Sequence, residues 1–222
     1  MKDKCVLVTG SSSGIGYEIT SNLLDLGAKV IGIARNHDKS NLENKNYITY
    51  NCDVSIHDKL EILLKQILKN HPQINCLISN AGYGNFGPLE NYSTLQINKF
   101  LSTNLTSHLV ITKHLLPHFK RNKMGDIIFI GSEAGLSGAK NGSLYCTAKF
   151  GLKGFSEALS KDVVNNNIRV SIINPGMVRT NFFENLNFEP GDSEENAISL
   201  KDISSTVAYI LGLSRNTIVD EI

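Results

Sequence analysis

Cys5-Val6-Leu7-Val8-Thr9-Gly10-Ser11-Ser12-Ser13-Gly14-Ile15-Gly16 joins an apolar run to a glycine- and serine-rich turn, and an amphipathic segment begins at Ile15. The run reads as a buried strand and the segment after the turn as a helix. A turn of this kind is where a dinucleotide pyrophosphate can rest on a helix N-terminus. Gly10 permits the tight turn, Gly14 lets the backbone approach the phosphates, and Gly16 allows helix and strand to pack closely. The spacing Gly-x3-Gly-x-Gly departs from the general Gly-x-Gly-x-x-Gly fingerprint, so the match is to a variant. The competing reading is a glycine/serine-rich loop with no ligand.

Outward from that turn, short β-rich runs alternate with helical patterns along the chain. Strands are predicted at Cys5–Thr9, Lys29–Ala34, Tyr47–Asn51, Cys76–Ser79, Asp126–Ile130, Arg169–Ile173 and Thr217–Asp220. Helices are predicted at Ile15–Leu26, Ile56–Lys69, Leu95–Leu116, Leu144–Val164 and Lys201–Leu213. Such alternation argues for α/β architecture: a single doubly wound Rossmann-type domain over residues 1–222, with a seven-stranded parallel sheet and helices on both faces. The polar connection Asn36–Asn46 is too short for more than about two helical turns. Residues 181–199 have no clean period, contain Pro190-Gly191, and are expected to form an irregular substrate flap.

Composition narrows the function classes. The 222 residues are enough for one domain with a well-buried core. With 22 basic against 21 acidic residues the net charge is +1, which points to neither a nucleic-acid nor a membrane-surface partner. Cys5, Cys52, Cys76 and Cys146 are scattered, a pattern of reduced thiols rather than of a disulfide framework or a metal site. No apolar run reaches membrane-spanning length, and the first strand starts too early to leave room for a signal peptide, so a cytoplasmic location is expected.

Tyr145-Cys146-Thr147-Ala148-Lys149 puts a phenol and an ammonium one helical turn apart on the same face. The cation should lower the tyrosine pKa, allowing proton exchange with a carbonyl or alcohol near neutral pH. Moving a tyrosine from ~10 to ~7 takes about 4 kcal/mol of differential stabilisation. A proton donor together with a dinucleotide turn implies hydride chemistry. At the end of the second strand, Ile33-Ala34-Arg35-Asn36 offers no carboxylate for a ribose 2′-hydroxyl. Arg35 there suits a 2′-phosphate, to which Ser11 can add a hydroxyl, so NADP(H) is expected over NAD(H). The alternative is a solvated surface arginine. His114 and His118 have zinc-compatible spacing, but Pro117 between them is expected to break the helix and no third ligand is nearby, so no metal is expected.

Taken together, Thr9-Gly10-x3-Gly14-x-Gly16, Asn80-Ala81-Gly82, Asn104, Ser132, Tyr145-x3-Lys149 and Asn174-Pro175-Gly176 resemble the short-chain dehydrogenase/reductase superfamily, in its order and over nearly the whole chain. That resemblance implies Tyr145 as general acid/base, Lys149 as the group that lowers its pKa and holds the nicotinamide ribose, and Ser132 as the group that orients the substrate carbonyl. It implies Asn104 as the holder of a water between Lys149 and solvent. For the cofactor it implies Gly10, Ser11, Ser13, Gly14, Ile15 and Gly16 at the pyrophosphate, with Arg35, Asp53, Val54, Asn80, Ala81 and Gly82 on the adenosine side. Pro175, Gly176, Val178 and Thr180 are implied near the nicotinamide, beside Tyr145 and Lys149. Read without the family, Ser132 is a turn residue, Asn104 a core hydrogen bonder and Asp53 a helix cap.

The resemblance also implies assembly. Phe150, Leu152, Phe155, Leu159 and Val163 make the Tyr145 helix apolar on more than one side. In the family such helices form a four-helix dimer contact, so a homodimer is expected. The short tail after the last predicted strand makes a tetramer doubtful and suggests an open pocket. The expected function is oxidoreduction between a ketone or aldehyde and an alcohol. The rivals are a 3-oxoacyl-carrier-protein reductase, a non-catalytic NADP-binding sensor or interaction module, and a nucleotide-sugar epimerase. The substrate itself is not legible in the loops Glu133–Asn141 and 181–199.

Overall fold

The strands of the computed structural model, which describes residues 1–38, 40–184 and 186–222, are buried on both faces, except that over Tyr47–Asn51, which is partly exposed. They are β1 (Cys5–Thr9), β2 (Lys29–Ala34), β3 (Tyr47–Asn51), β4 (Cys76–Ser79), β5 (Gly125–Ile130) and β6 (Ile168–Ile173). All pair in parallel, in the order β3-β2-β1-β4-β5-β6. Successive side chains point to opposite faces. Leu7, Ile31, Leu77, Ile127, Phe129 and Ile172 therefore face one layer, and Val6, Val8, Val30, Ile78, Ile128 and Ile130 the other.

The helices divide accordingly. Leu60, Leu64 and Ile67 of α2 (His57–Asn70) pack on the first face with α4 (Ser107–Asn122) and α5 (Ser143–Val163). On the second face lie α1 (Gly14–Asp25), through Ile19 and Leu23, and α6 (Leu200–Gly212), through Val207 and Ile210. The remaining helix, α3 (Thr94–Leu101), is started by a reciprocal cap between Ser93 and Gln96. Strand order reverses between β1 and β4, and the crevice at their carboxyl ends is where open α/β sheets bind ligands.

Two expectations need correction. The sheet has six strands rather than seven. Arg169 Nη1 takes the carbonyls of Leu213, Ser214 and Thr217, which holds that stretch by a side chain instead of a ladder. Pairing with β6 begins only at Asp220, with one bridge between Ile172 and Glu221. The second correction is at Pro117, which does not end its helix: α4 continues to Asn122 and stops at Lys123, with φ 47°. Burial of His118 and Phe119 beyond the proline outweighs the one missing hydrogen bond. His118 bonds the Ile74 carbonyl at 2.9 Å while His114 meets Glu61 at 3.3 Å, and no metal-ligating cluster exists among the described residues.

At the amino end of the sheet, Asp126 is buried among three cations. Its Oδ2 accepts from Lys4 at 2.9 Å, and Oδ1 accepts from Arg169 at 2.7 Å and Arg215 at 2.5 Å. Burial alone would raise its pKa, but the Arg169 and Lys4 hydrogen bonds with the Lys4 and Arg215 charges bring it below the ordinary 3.8. A carboxylate lowered this way stabilises the fold above its unfolded pKa and loses that contribution as pH falls through its folded value. Asp126→Asn should therefore cost about 3 kcal/mol in urea melts at pH ~7, because it strands buried cations. The gap to wild type should close below about pH 4; a gap independent of pH would remove the electrostatic account.

Candidate active site

The glycine turn is shaped by close approach. Gly10 and Gly14 have φ +69° and +54°, conformations that suit glycine, and a Cβ on Gly16 would stand 2.2 Å from the Gly10 carbonyl oxygen. Ser13 precedes α1 in extended conformation and makes no side-chain cap. The first-turn N–H groups of Gly14, Ile15 and Gly16 thus keep the donors that a helix start leaves unpaired. This cradle fits a pyrophosphate. Thr9 Oγ1 accepts from the N–H groups of Asn80 and Ala81, at 3.0 Å each, which ties the Asn80-Ala81-Gly82 turn to the glycine loop. Thr180 packs against Gly14, its Oγ1 accepting from Phe182 N, and so brings the root of the 181–199 segment over the loop.

On the β2 and β3 side, Arg35, Asn51, Cys52, Asp53 and Lys59 line an open cleft of about 360 Å³. Asp53 Oδ1 accepts from Ser55 N at 2.9 Å and Ser55 Oγ at 2.7 Å, forming a turn before α2 rather than the helix cap. Burial would raise Asp53, yet the Ser55 bonds and the Arg35 and Lys99 charges carry it below the usual carboxylate range. Val54 is buried in the core. Ser11 does not offer its hydroxyl outward. Its Oγ lies 3.0 Å from His37 Nε2 and accepts from Tyr47 at 3.2 Å, and His37 Nδ1 is 2.8 Å from Asn51 Oδ1. His37 is thus pinned beside Arg35 by a chain that sequence spacing does not reveal.

At the carboxyl ends of β5 and β6, α5 delivers Tyr145 and Lys149. Both are buried, at 6 % exposure each, and the Lys149 ammonium lies 5.7 Å from the Tyr145 ring centre while donating to the Ile130 carbonyl at 3.0 Å. Ser132 follows β5, its backbone N–H held by Asn174 Oδ1 at 3.1 Å. A Cβ on Gly131 would collide with that same oxygen, at 2.0 Å. Asn104 sits in a π-helical turn, Ser102–Thr106, between α3 and α4, an irregularity common at functional sites. Its Oδ1 accepts from Tyr83 N at 3.0 Å and its Nδ2 donates to the Phe100 carbonyl at 3.1 Å. Gly176 and Pro175 face the Ser132 turn, and the Pro175 carbonyl accepts from Glu133 N at 3.0 Å. Val178 is buried and bridges to Ile198 across the flap.

A family model described as short chain dehydrogenase matches residues 4–190. The chain belongs to that family. Its relatives include a 3-oxoacyl-[acyl-carrier-protein] reductase of Haemophilus influenzae, 31% identical, with 95% of this chain and 91% of that one aligned. Among solved structures, a metagenomic short-chain oxidoreductase in complex with NADP superposes with TM-score 0.84 at 26% identity, covering 99% and 95% of the two chains. The serine dehydrogenase of Escherichia coli superposes with TM-score 0.85 at 26% identity, covering 98% and 95%.

In this short-chain dehydrogenase the electrostatics of the Tyr145–Lys149 pair run against the expected direction. Burial pushes Tyr145 up to about 12, and Glu133 and Cys146 add to the rise, while the Ser132 hydroxyl pulls back. Desolvation dominates because the Lys149 ammonium is directed at the Ile130 carbonyl rather than the phenol oxygen. Burial also brings Lys149 down, from 10.5 to about 8. Residues missed from the sequence are His37, Phe86 against the Tyr145 ring at 5.0 Å, and Asn174 as the anchor of Ser132.

A lysine whose folded pKa is lowered binds its proton less tightly in the folded than in the unfolded chain. Between about pH 8 and pH 10.5 the unfolded chain therefore carries the extra proton, and stability rises with pH. Compared with Lys149→Met, wild type should gain up to about 3 kcal/mol over that window in denaturant melts. A pH-independent difference would mean that Lys149 is not desolvated.

Proposed function

We propose that the protein is an NADP(H)-dependent oxidoreductase interconverting a ketone or aldehyde with an alcohol, and that it works chiefly as a carbonyl reductase. The observation that carries this reading is the convergence of Tyr145, Lys149 and Ser132 beside an uncapped, glycine-rich helix start at the carboxyl edge of the sheet. When bound, NADPH supplies the hydride. Tyr145, kept protonated by burial, donates the proton to the carbonyl oxygen. Ser132 orients that oxygen, and the Lys149 cation offsets the charge left on the phenol. Asn104 positions the pocket by clamping the backbone at Tyr83 to that at Phe100.

Arg35, at the rim of the adenosine cleft, is assigned to the 2′-phosphate, for which a guanidinium is well matched. NADP in the metagenomic relative's complex supports that choice. Free thiols, with Cys5, Cys76 and Cys146 buried, fit a reducing compartment, and the cytoplasm is the location we propose. The second reading, a 3-oxoacyl-[acyl-carrier-protein] reductase, is favoured by the Haemophilus influenzae relative.

A carbonyl panel that includes a 3-oxoacyl thioester, assayed with NADPH and NADH, separates the two. In that assay Tyr145→Phe should lower turnover about 10²–10⁴-fold with NADPH affinity nearly intact. Arg35→Ala should weaken NADPH binding by about 1.5–3 kcal/mol and leave NADH little changed. Near-native turnover in the first variant, or equal losses for both cofactors in the second, would overturn the assignment.

An apolar groove of about 580 Å³ runs between α4 and α5, lined by Leu109, Val110, Leu116, Pro117, Phe155 and Leu159. We assign it to the same face of a second copy, giving a homodimer built on four helices. Light scattering at micromolar concentration should return twice the chain mass of 24.4 kDa, and Phe155→Lys should return the monomer. A monomeric wild type would remove this interface.

A further inference from the structure

Glu133 directly follows Ser132, and its carboxylate lies on the β6 turn. A Cβ at Gly176 would stand 3.1 Å from Glu133 Oε2 and 3.7 Å from Ile198 of the flap. The side chain is exposed, and no ion pair among the described residues includes it. Its charge still reaches Tyr145, where it opposes formation of a phenolate. A lone carboxylate in this place therefore works against the proton transfer unless something positive comes to sit beside it.

The other side of Tyr145 is aromatic. Phe86 is 5.0 Å and Phe182 5.7 Å from its ring, and Phe188 lies 5.0 Å from Phe86. Asp53, the acidic side chain lining the β2–β3 cleft, is engaged by Ser55 and lies at the adenosine end.

Building on the oxidoreductase reading above, we infer that the substrate carries a positively charged amino group a few bonds from the reacting carbon, an amino ketone or amino alcohol, and that Glu133 binds it. In the reducing direction hydride adds to the carbonyl carbon, the oxygen takes the Tyr145 proton, and the ammonium keeps all of its own. The bound cation cancels the Glu133 charge at Tyr145, so the substrate that fits also favours the chemistry.

The test compares aminoacetone with hydroxyacetone, matched in size, as substrates with NADPH. Wild type should prefer aminoacetone in kcat/KM, and Glu133→Gln should cut that preference about 10- to 100-fold, the loss of one charged hydrogen bond. Glu133→Asp, which keeps the charge, should retain part of it. A preference unchanged by Glu133→Gln overturns the inference. So does a variant that alters only the relative affinity for NADP⁺ and NADPH, since the carboxylate would then serve the nicotinamide. Calorimetric titration of aminoacetone into Tyr145→Phe saturated with NADPH gives a readout free of turnover. Binding there that Glu133→Gln abolishes upholds the amino-group assignment even if neither ketone is reduced, an outcome that would sink the oxidoreductase reading alone. Reduction of hydroxyacetone without charge-selective binding sinks the inference and leaves the oxidoreductase reading standing.

Discussion

A lysine ammonium buried against the last carbonyl of a β-strand is the constraint around which the candidate site is arranged. Burial takes the Lys149 charge out of water, and only the Ile130 carbonyl is described as its direct partner. The hydrogen bond from Lys149, on α5, to the carbonyl at the end of β5 offsets part of that cost. Tyr145, one turn earlier on the same helix, is thereby carried to the carboxyl edge of the sheet. Ser132 is brought to the same point by β5, with Asn174 at the end of β6 holding its backbone N–H.

The desolvation that perturbs Lys149 also keeps Tyr145 protonated in the free protein. A phenol held as its acid suits donation to a carbonyl better than abstraction from an alcohol. Burial of the Tyr145 ring comes from Phe86, Phe100 and Phe182, contributed by three separate segments of chain. Phe182 and Leu186 also press on Gly84, where any side chain would clash at 2.6 Å. The flap and the loop after β4 therefore form one wall over the tyrosine, and its polarity is tuned by residues far apart in sequence.

The opposite end of the sheet carries a different balance. Asp126 gathers Lys4, Arg169 and Arg215, and the two arginines also take backbone carbonyls from the connection after α6 and the start of β5. The tail is fastened by side chains to the amino edge, and at the carboxyl edge Glu221 accepts from Asn174 and pairs with Lys153. The buried ion cluster and the candidate site lie at opposite ends of the strands.

Strand and helix positions were legible from residue order because their cause is local: the β-rich runs, the glycine turn and the i, i+4 pair act within about two helical turns. The seventh strand was not legible, since Thr217 is held by Arg169, a residue distant in sequence. Nor was the continuation of α4 through Pro117, which depends on what His118 and Phe119 bury against. At the candidate site, residue identity and order pointed to Tyr145, Lys149, Ser132 and the glycine loop. Tertiary structure alone decided that Ser11 turns inward to His37, that Asn104 clamps backbone, and that Glu133 stands unpaired beside the tyrosine. It also reversed the direction of the Tyr145 shift. Spacing along a helix tells which charges are near, but desolvation depends on everything packed around the group, and here burial is the stronger of the two.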